Sequence, residues 1–261
     1  MHTQGHTHEH KHESCHKQKI DFNKRNLGAE QTADFVATQL KTGASILDVG
    51  SGTGCVAKPL LNKGFNVLAI DGNVNAVAEA SENGVETKLI DFLEFSHSEQ
   101  FDCLLFSRSL HHIHPPQKAI EKSLELLKDG GKIILDDFAI ERIETREALF
   151  YYGVKSLVLA DLEAGESRGP KLENGQIPQD LLADLRSHHE QHGVLRSTEF
   201  MPLLKEKFVT LLELDLPYLY RYFQEDISEK QSERLYEWER RLCTANQLNQ
   251  VGIRFVGVKK S

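Results

Sequence analysis

The chain has 261 residues, 39 % of them hydrophobic, and a net charge of −8, which suits one or two globular domains with a full core and disfavours a nucleic-acid partner, whose phosphates need a basic face. No run of about 18 apolar residues offers a membrane span, and no apolar signal core stands at the N-terminus. The four cysteines show no CxxC spacing, so a cytoplasmic protein with reduced thiols is expected.

In chain order, residues 1–18 come first, with six of the thirteen histidines and almost no apolar side chain. Such a segment cannot bury enough surface to fold alone, so it reads as a disordered tail before a folded domain at 19–261. Its His6, His8, His10 and His12 recur every second residue, with Cys15 and His16 close behind. Neutral imidazoles at that spacing can hold a divalent transition metal loosely; an incidental polar tail is the equal alternative.

From about residue 30 to 137, short apolar runs alternate with helical stretches. The runs are SILDV, NVLAI, VETKLI, FDCLLF and KIILDD; the stretches are VAKPLLNKG, NAVAEASENG and QKAIEKSLELLKDGG. Gly64, Gly84 and the Gly130–Gly131 pair are expected to close the helices. Repeated strand, helix, strand predicts a parallel sheet covered on both faces. Residues 138–205 break the rhythm, are long for a connection, and predict a helical cap containing the turn-prone SRGPKLENGQIP. FVTLLELDLPYLY then reads as a strand, SEKQSERLYEWERRLCTANQL as a helix and GIRFVGVKK as a final strand.

The stretch ILDVGSGTG (Ile46 to Gly54) ends the first strand with an acid and then alternates glycines. Glycine lets the backbone approach a ligand and take positive φ, and ligands of open parallel sheets bind at the carboxyl ends of strands. A dinucleotide fingerprint would need glycine where Cys55 stands, and a P-loop would need a Gly-Lys-Ser/Thr ending; neither is present. Asp48 would repel a pyrophosphate and attract an ammonium or sulfonium group. Asp71 ends the second strand, where a carboxylate can accept from ribose hydroxyls. Asp91 and Phe92 end the third, where a carboxylate can accept from an adenine amino group.

With these motifs in this order, together with FSRSLHHI and LLKDGGKIILDD, the chain resembles the class I S-adenosylmethionine-dependent methyltransferases of the small-molecule type. The resemblance implies an α/β fold: a Rossmann-like, seven-stranded, mostly parallel sheet with one antiparallel strand, helices on both faces and the cap inserted. It implies S-adenosyl-L-methionine as methyl donor and a small-molecule acceptor. Donor-site roles fall to Asp48, Gly50, Ser51, Gly52 and Gly54 near the methionine end. Asp71 with Gly72 and Asn73 falls to the ribose, Asp91 and Phe92 to the adenine, and Ser107 and Arg108 to the methionine side. Ser107-Arg108-Ser109-Leu110 replaces the Asn/Asp-Pro-Pro-Tyr of some enzymes that methylate nucleic-acid amines.

Each assignment has a structural competitor. Asp71 and Asp91 could cap the following helices, and of Asp136 and Asp137 one could face the acceptor. His111 and His112 stand where a proton leaving the acceptor could be received, or could simply pack. His188, His189 and His192 of HHEQH lack metalloprotease order and read as a solvated helix face. Tyr218, Tyr220 and Tyr222 are expected to enclose the acceptor. Phe150, Tyr151 and Tyr152 could wall the acceptor pocket or form the buried side of a cap helix. The competing functions are a nicotinamide-dependent oxidoreductase and a non-catalytic adenosylmethionine-binding or metal-handling protein.

Overall fold

The computed structural model describes residues 26–158 and 179–260. Helix α1 (Leu27–Gln39) opens at Asn26, whose side chain accepts from the Ala29 amide, satisfying one of the free amides of the first turn. The alternation follows as β1 (Ser45–Val49), α2 (Ala57–Asn62), β2 (Asn66–Asp71), α3 (Val74–Glu82), β3 (Thr87–Leu89), β4 (Phe101–Ser107), α4 (Pro116–Leu126) and β5 (Leu127–Phe138). After it come α5 (Thr145–Val158), α6 (Leu181–Gln191), α7 (Ser197–Lys207), β6 (Phe208–Leu216), α8 (Glu229–Thr244) and β7 (Gly252–Lys259).

The strands form one seven-stranded sheet in the order β3-β2-β1-β4-β5-β7-β6. β1 to β5 run parallel, and β7 lies antiparallel between β5 and β6. Side chains alternate across β1 as the two-residue strand period requires. Leu47 and Val49 join a core shared with α4 and α7, while Ile46 joins a core shared with α1 and α2. Asp48, in phase with Ile46, is buried beneath the loop that follows the strand. A third cluster gathers α5, α6, α8 and the residues after β6.

The fold departs from the sequence expectation in four places. Gly130 and Gly131 do not close a helix: α4 ends at Leu126 and β5 begins at once. Between pairs Phe101–Leu127 and Cys103–Lys132 the register shifts; the surplus residues loop out, and Gly130 takes the left-handed backbone (φ +72°) that this requires. The third strand shrinks to Thr87–Leu89, because it is a sheet edge with one neighbour and Leu89 is left half exposed. The sixth strand stops at Leu216 because Pro217 has no amide to donate, and Leu219–Phe223 coils into a 3-10 turn instead.

The fourth departure concerns the cap. Phe138 is the last residue of β5. Helix α7 buries Phe200, Met201 and Leu204 in the sheet core beside Leu135 and Phe255, so it covers the sheet rather than capping the site. Of the expected cap, the described residues leave α5, α6 and their flanks. The segment SRGPKLENGQIP and the 1–18 tail, with His6, His8, His10 and His12, lie outside the described residues.

Candidate active site

The loop after β1 is tied down before any ligand is considered. The amides of Gly50 and Ser51 both donate to the Ile70 carbonyl, at 2.9 and 3.1 Å, pulling the loop across the end of β2. Gly50 takes φ +65°, and a Cβ there would stand 2.6 Å from the Ser109 Cβ. Only glycine permits both the turn and the close approach. Ser109 in turn donates its hydroxyl to the Val49 carbonyl at 2.6 Å, stitching β4's loop to β1. The sequence reading missed Ser109, whose one signal was a small residue facing the glycine turn.

The cleft outside the carboxyl ends of β1, β2 and β4 has a volume of about 230 Å³. Gly50, Asp71, Gly72, Asp91, Phe92, Arg108 and His112 are brought together on its walls. Asp71 accepts from the Gly52 amide at 2.8 Å through one oxygen and from the Asn73 amide at 2.8 Å through the other; it shapes the loop and still faces the cleft. Asp71 is not the cap of α3; Asn73 is, accepting from the Asn75 and Ala76 amides. Asp91 accepts from the Leu93 amide at 2.7 Å in a turn with no helix behind it. Phe92 lines the cleft while its ring meets Phe106 edge-on at 5.4 Å.

Ser51, Gly52 and Ser107 are half-buried and Gly54 is buried, and the hydroxyls of Ser51 and Ser107 are without a partner. Asp48 is the extreme case. It is 1 % exposed, and neither carboxylate oxygen has a hydrogen-bond partner. Burial, with the nearby charge of Asp71, pushes its pKa from 3.8 up to about 7, and the Arg108 guanidinium offsets only part of that. Arg108 itself sits at φ +56°, a backbone rare for a residue with a Cβ, and its amide is held by the Asp136 carbonyl at 2.9 Å.

Adjacent strand residues Asp136 and Asp137 face opposite sides and do different work. Asp136 is buried against Thr32 at 2.6 Å, Arg254 at 3.0 Å and Arg221 at 3.3 Å. Burial opposes its ionisation, yet the two guanidinium groups outweigh it and hold the carboxyl below its ordinary value. It joins α1, β5, β7 and the turn after β6. Asp137 instead bonds His111, Oδ1 to Nδ1 at 2.6 Å, with both groups buried. His112, on the cleft wall, stays neutral: burial and the neighbouring His111 push it down to about 4.

Behind the dyad lies an aromatic layer. Phe138 meets His111 at 4.8 Å and stacks on Tyr218 at 4.8 Å between ring centres. His189 is buried rather than solvated. Its Nδ1–H donates to the Leu185 carbonyl at 2.7 Å, so its Nε2 accepts from the Tyr222 hydroxyl at 2.8 Å. Glu239 of α8 fixes the turn that carries these tyrosines, accepting from the amides of Tyr218, Leu219 and Tyr220 at 2.7 to 2.8 Å. Tyr220 points elsewhere, to Gln31. Phe150, Tyr151 and Tyr152 are all buried in the cap core, with Tyr152 on Asp184 and Tyr151 receiving from Lys155 at 3.0 Å. The rings of His188 and His192 touch at 4.6 Å. Among the described residues no three His, Cys, Asp or Glu side chains are grouped to hold a metal ion.

Residues 23–164 match the family model described as a methyltransferase domain. Among relatives, a demethylmenaquinone methyltransferase of Thermobifida fusca is 27 % identical over 141 residues, covering 50 % of this chain and 60 % of its own. A glycine/sarcosine N-methyltransferase of Parasynechococcus marenigrum is 34 % identical over 138 residues, covering 48 % of each chain. The chain spans about half the length of the relatives it matches. A solved structure of the N-methyltransferase NodS from Bradyrhizobium japonicum WM9 in complex with S-adenosyl-L-homocysteine shares the fold, with a TM-score of 0.54 at 10 % identity over 90 % of this chain and 87 % of that one.

Proposed function

Since the chain belongs to the methyltransferase-domain family, we propose that it transfers the methyl group of S-adenosylmethionine to a small-molecule acceptor. The observation that carries this reading is Asp48: a buried carboxylate with two unpartnered oxygens beneath a glycine loop. Such a group is costly alone and suits a cationic ligand, which a nicotinamide pyrophosphate is not. The bound donor supplies an activated methyl group on a positive sulfur. What remains for the protein is to align two reactants and exclude water.

In this reading Asp48 and the loop from Gly50 to Gly54 receive the methionine end, helped by Ser51, Ser107 and Arg108. Asp71, with Gly72 and Asn73 beside it, receives the ribose, and Asp91 with Phe92 the adenine. The acceptor would enter on the side of His111, His112 and Tyr218. Among the described residues no helix is long and apolar enough to cross a membrane.

Asp71→Ala should weaken donor binding by about 1.5–3 kcal/mol, through loss of charge-assisted bonds and of the Gly52 anchor; calorimetry reads this directly, and unchanged affinity would remove the ribose assignment. To find the acceptor, the protein is incubated with isotopically labelled donor and a cell metabolite extract. Mass spectrometry should then show a labelled small molecule. Label confined to polymeric nucleic acid, or no transfer from an extract that sustains control methyltransferases, would overturn the reading.

A further inference from the structure

Histidines from two distant stretches meet where the cap touches the rim of the cleft. His111, His112 and His114 come from the turn after β4, and His188, His189 and His192 from α6 and its end. Ring contacts run unbroken from the cleft wall to the end of α6. Between ring centres, His112 lies 4.1 Å from His111, His111 4.8 Å from Phe138, and Phe138 5.7 Å from His189. His189 then lies 5.6 Å from His188, and His188 4.6 Å from His192. His192 is in turn close enough to His112 for their charges to act on one another. Two hydrogen bonds strap the stretches together. His114 Nε2–H donates to the Gly193 carbonyl at 2.8 Å, and the Leu195 amide donates to the His111 carbonyl at 2.9 Å. His112 lines the cleft, and Ser109, just before it, is bonded to the end of β1, so strap and cleft share one turn.

An imidazole ordinarily takes its second proton near pH 6.5, and imidazolium groups packed this closely repel one another. Among the described residues no hydrogen bond or ion pair holds the side chain of His112, His188 or His192. The groups facing His112 are His111, Asp137, His192 and His114. Those facing His188 are His192, His189, Lys155 of α5 and Asp184 of its own helix. His189 faces His111 and His192, and its Nε2 accepts from Tyr222 of the turn after β6, so a second proton there removes that acceptor. The two carboxylates in this company are already engaged, Asp137 by His111 and Asp184 by Tyr152. His114 donates to its carbonyl whether neutral or charged, so its bond gives the repulsion no relief. Burial first, and then the neighbouring histidines, push His112 and His188 down to about 4.

We propose that this histidine cluster is an acid-released latch, which docks the end of α6 on the turn after β4 at neutral pH and lets it go as the histidines become charged. Docked, His112 and His188 titrate at about 4; undocked and solvated, each returns toward 6.5. The docked state therefore binds fewer protons between those values. Docking is at full strength above about pH 6.5 and weakens as pH falls through that window toward 4. Release reaches the cleft because the turn let go carries His112 on the cleft wall and follows directly on the Ser109 bond to Val49. The latch rests on the packing of cap against turn and is independent of which ligand the cleft takes.

Amide hydrogen exchange of the full chain reads the latch at Leu195, whose amide donates across the contact. After correction for the intrinsic exchange rate, its protection should fall by about thirtyfold or more between about pH 7.5 and about pH 5. One histidine moved from 6.5 to about 4 already gives about that factor. Amides within β1 and β4 should keep their protection. The double variant His188→Gln, His192→Gln should cut the fall at least about tenfold and leave the protection at neutral pH unchanged. In the wild type, the ring-proton resonances of His112 and His188 should show titration midpoints below about 5, against the ordinary 6.5. No fall at Leu195 in the wild type, a fall of equal size in the double variant, or midpoints near 6.5 would overturn the latch. The two wild-type readings decide the matter even where the double variant does not fold.

Discussion

Replacing Asp48 by Asn is expected to stabilise the ligand-free protein at pH 8 and to cripple donor binding. In the folded chain the carboxyl titrates at about 7 rather than 3.8. The folded state therefore binds the extra proton between those values. Because the folded state holds more protons there, stability falls as pH rises from about 4 to 7, and the whole penalty is present above 7. Near pH 8 it amounts to about 4 kcal/mol at about 1.4 kcal/mol per pH unit. A carboxamide leaves part of the cost, since its own polar atoms would also be buried without partners. A net gain of about 2 kcal/mol, or roughly 4–8 °C in Tm, is expected at pH 8, shrinking toward zero near pH 5. Donor affinity should fall by roughly 30- to 150-fold, from loss of about 2–3 kcal/mol of charge-assisted interaction. Thermal melts at the two pH values and calorimetry check both halves; a variant less stable than wild type at pH 8 would show that Asp48 is partnered and remove the chief support for a cationic ligand. The same titration makes wild-type donor binding release a proton near pH 7, visible as a dependence of the measured heat on the buffer.

Gly50→Ala is expected to have the other large effect. The added Cβ meets Ser109 Cβ at 2.6 Å, at a backbone φ of +65°. The strain of a left-handed turn costs about 1–2 kcal/mol, and the clash adds about 1–3 kcal/mol as the loop or Ser109 shifts. Moving Ser109 also strains its 2.6 Å bond to Val49. A loss of about 3 kcal/mol in denaturant unfolding should accompany loss of donor binding. Gly52→Ala makes a useful contrast, because a Cβ there meets nothing within 4 Å; it should pay only the backbone term. Equal effects from the two substitutions would show that the contact with Ser109 does not matter.

The residues that line the cleft, proposed above to take the donor, were legible in the sequence because they are local. A glycine turn after an apolar run, and an acid at each following strand end, announce themselves within a few residues and repeat at strand spacing. The rest depended on contacts across the chain. Asp136 and Asp137 are neighbours in sequence, yet one is claimed by Arg254, 118 residues on, and the other by His111, 26 residues back; strand alternation separates them, but nothing local says which side holds which partner. Helix α7 was assigned to the cap because its pattern of Phe200, Met201 and Leu204 is equally good for any apolar surface, and only the sheet's topology places it against β6 and β7. Tyr151 and Tyr152 carried the same ambiguity between pocket wall and core, and the cap helices resolved it toward core. Gly130 and Gly131 misled because left-handed glycine serves a β-bulge as well as a helix end.

The central claim is that the cleft between β1, β2 and β4 takes a cationic methyl donor and not a nicotinamide dinucleotide. Calorimetric titration of the full chain at pH 8 with S-adenosylmethionine, S-adenosylhomocysteine and NADH tests it most directly. Saturable one-to-one binding of the first two, with no heat from NADH, is the predicted result. Saturable binding of NADH, or none of either adenosyl ligand to folded protein, would contradict it.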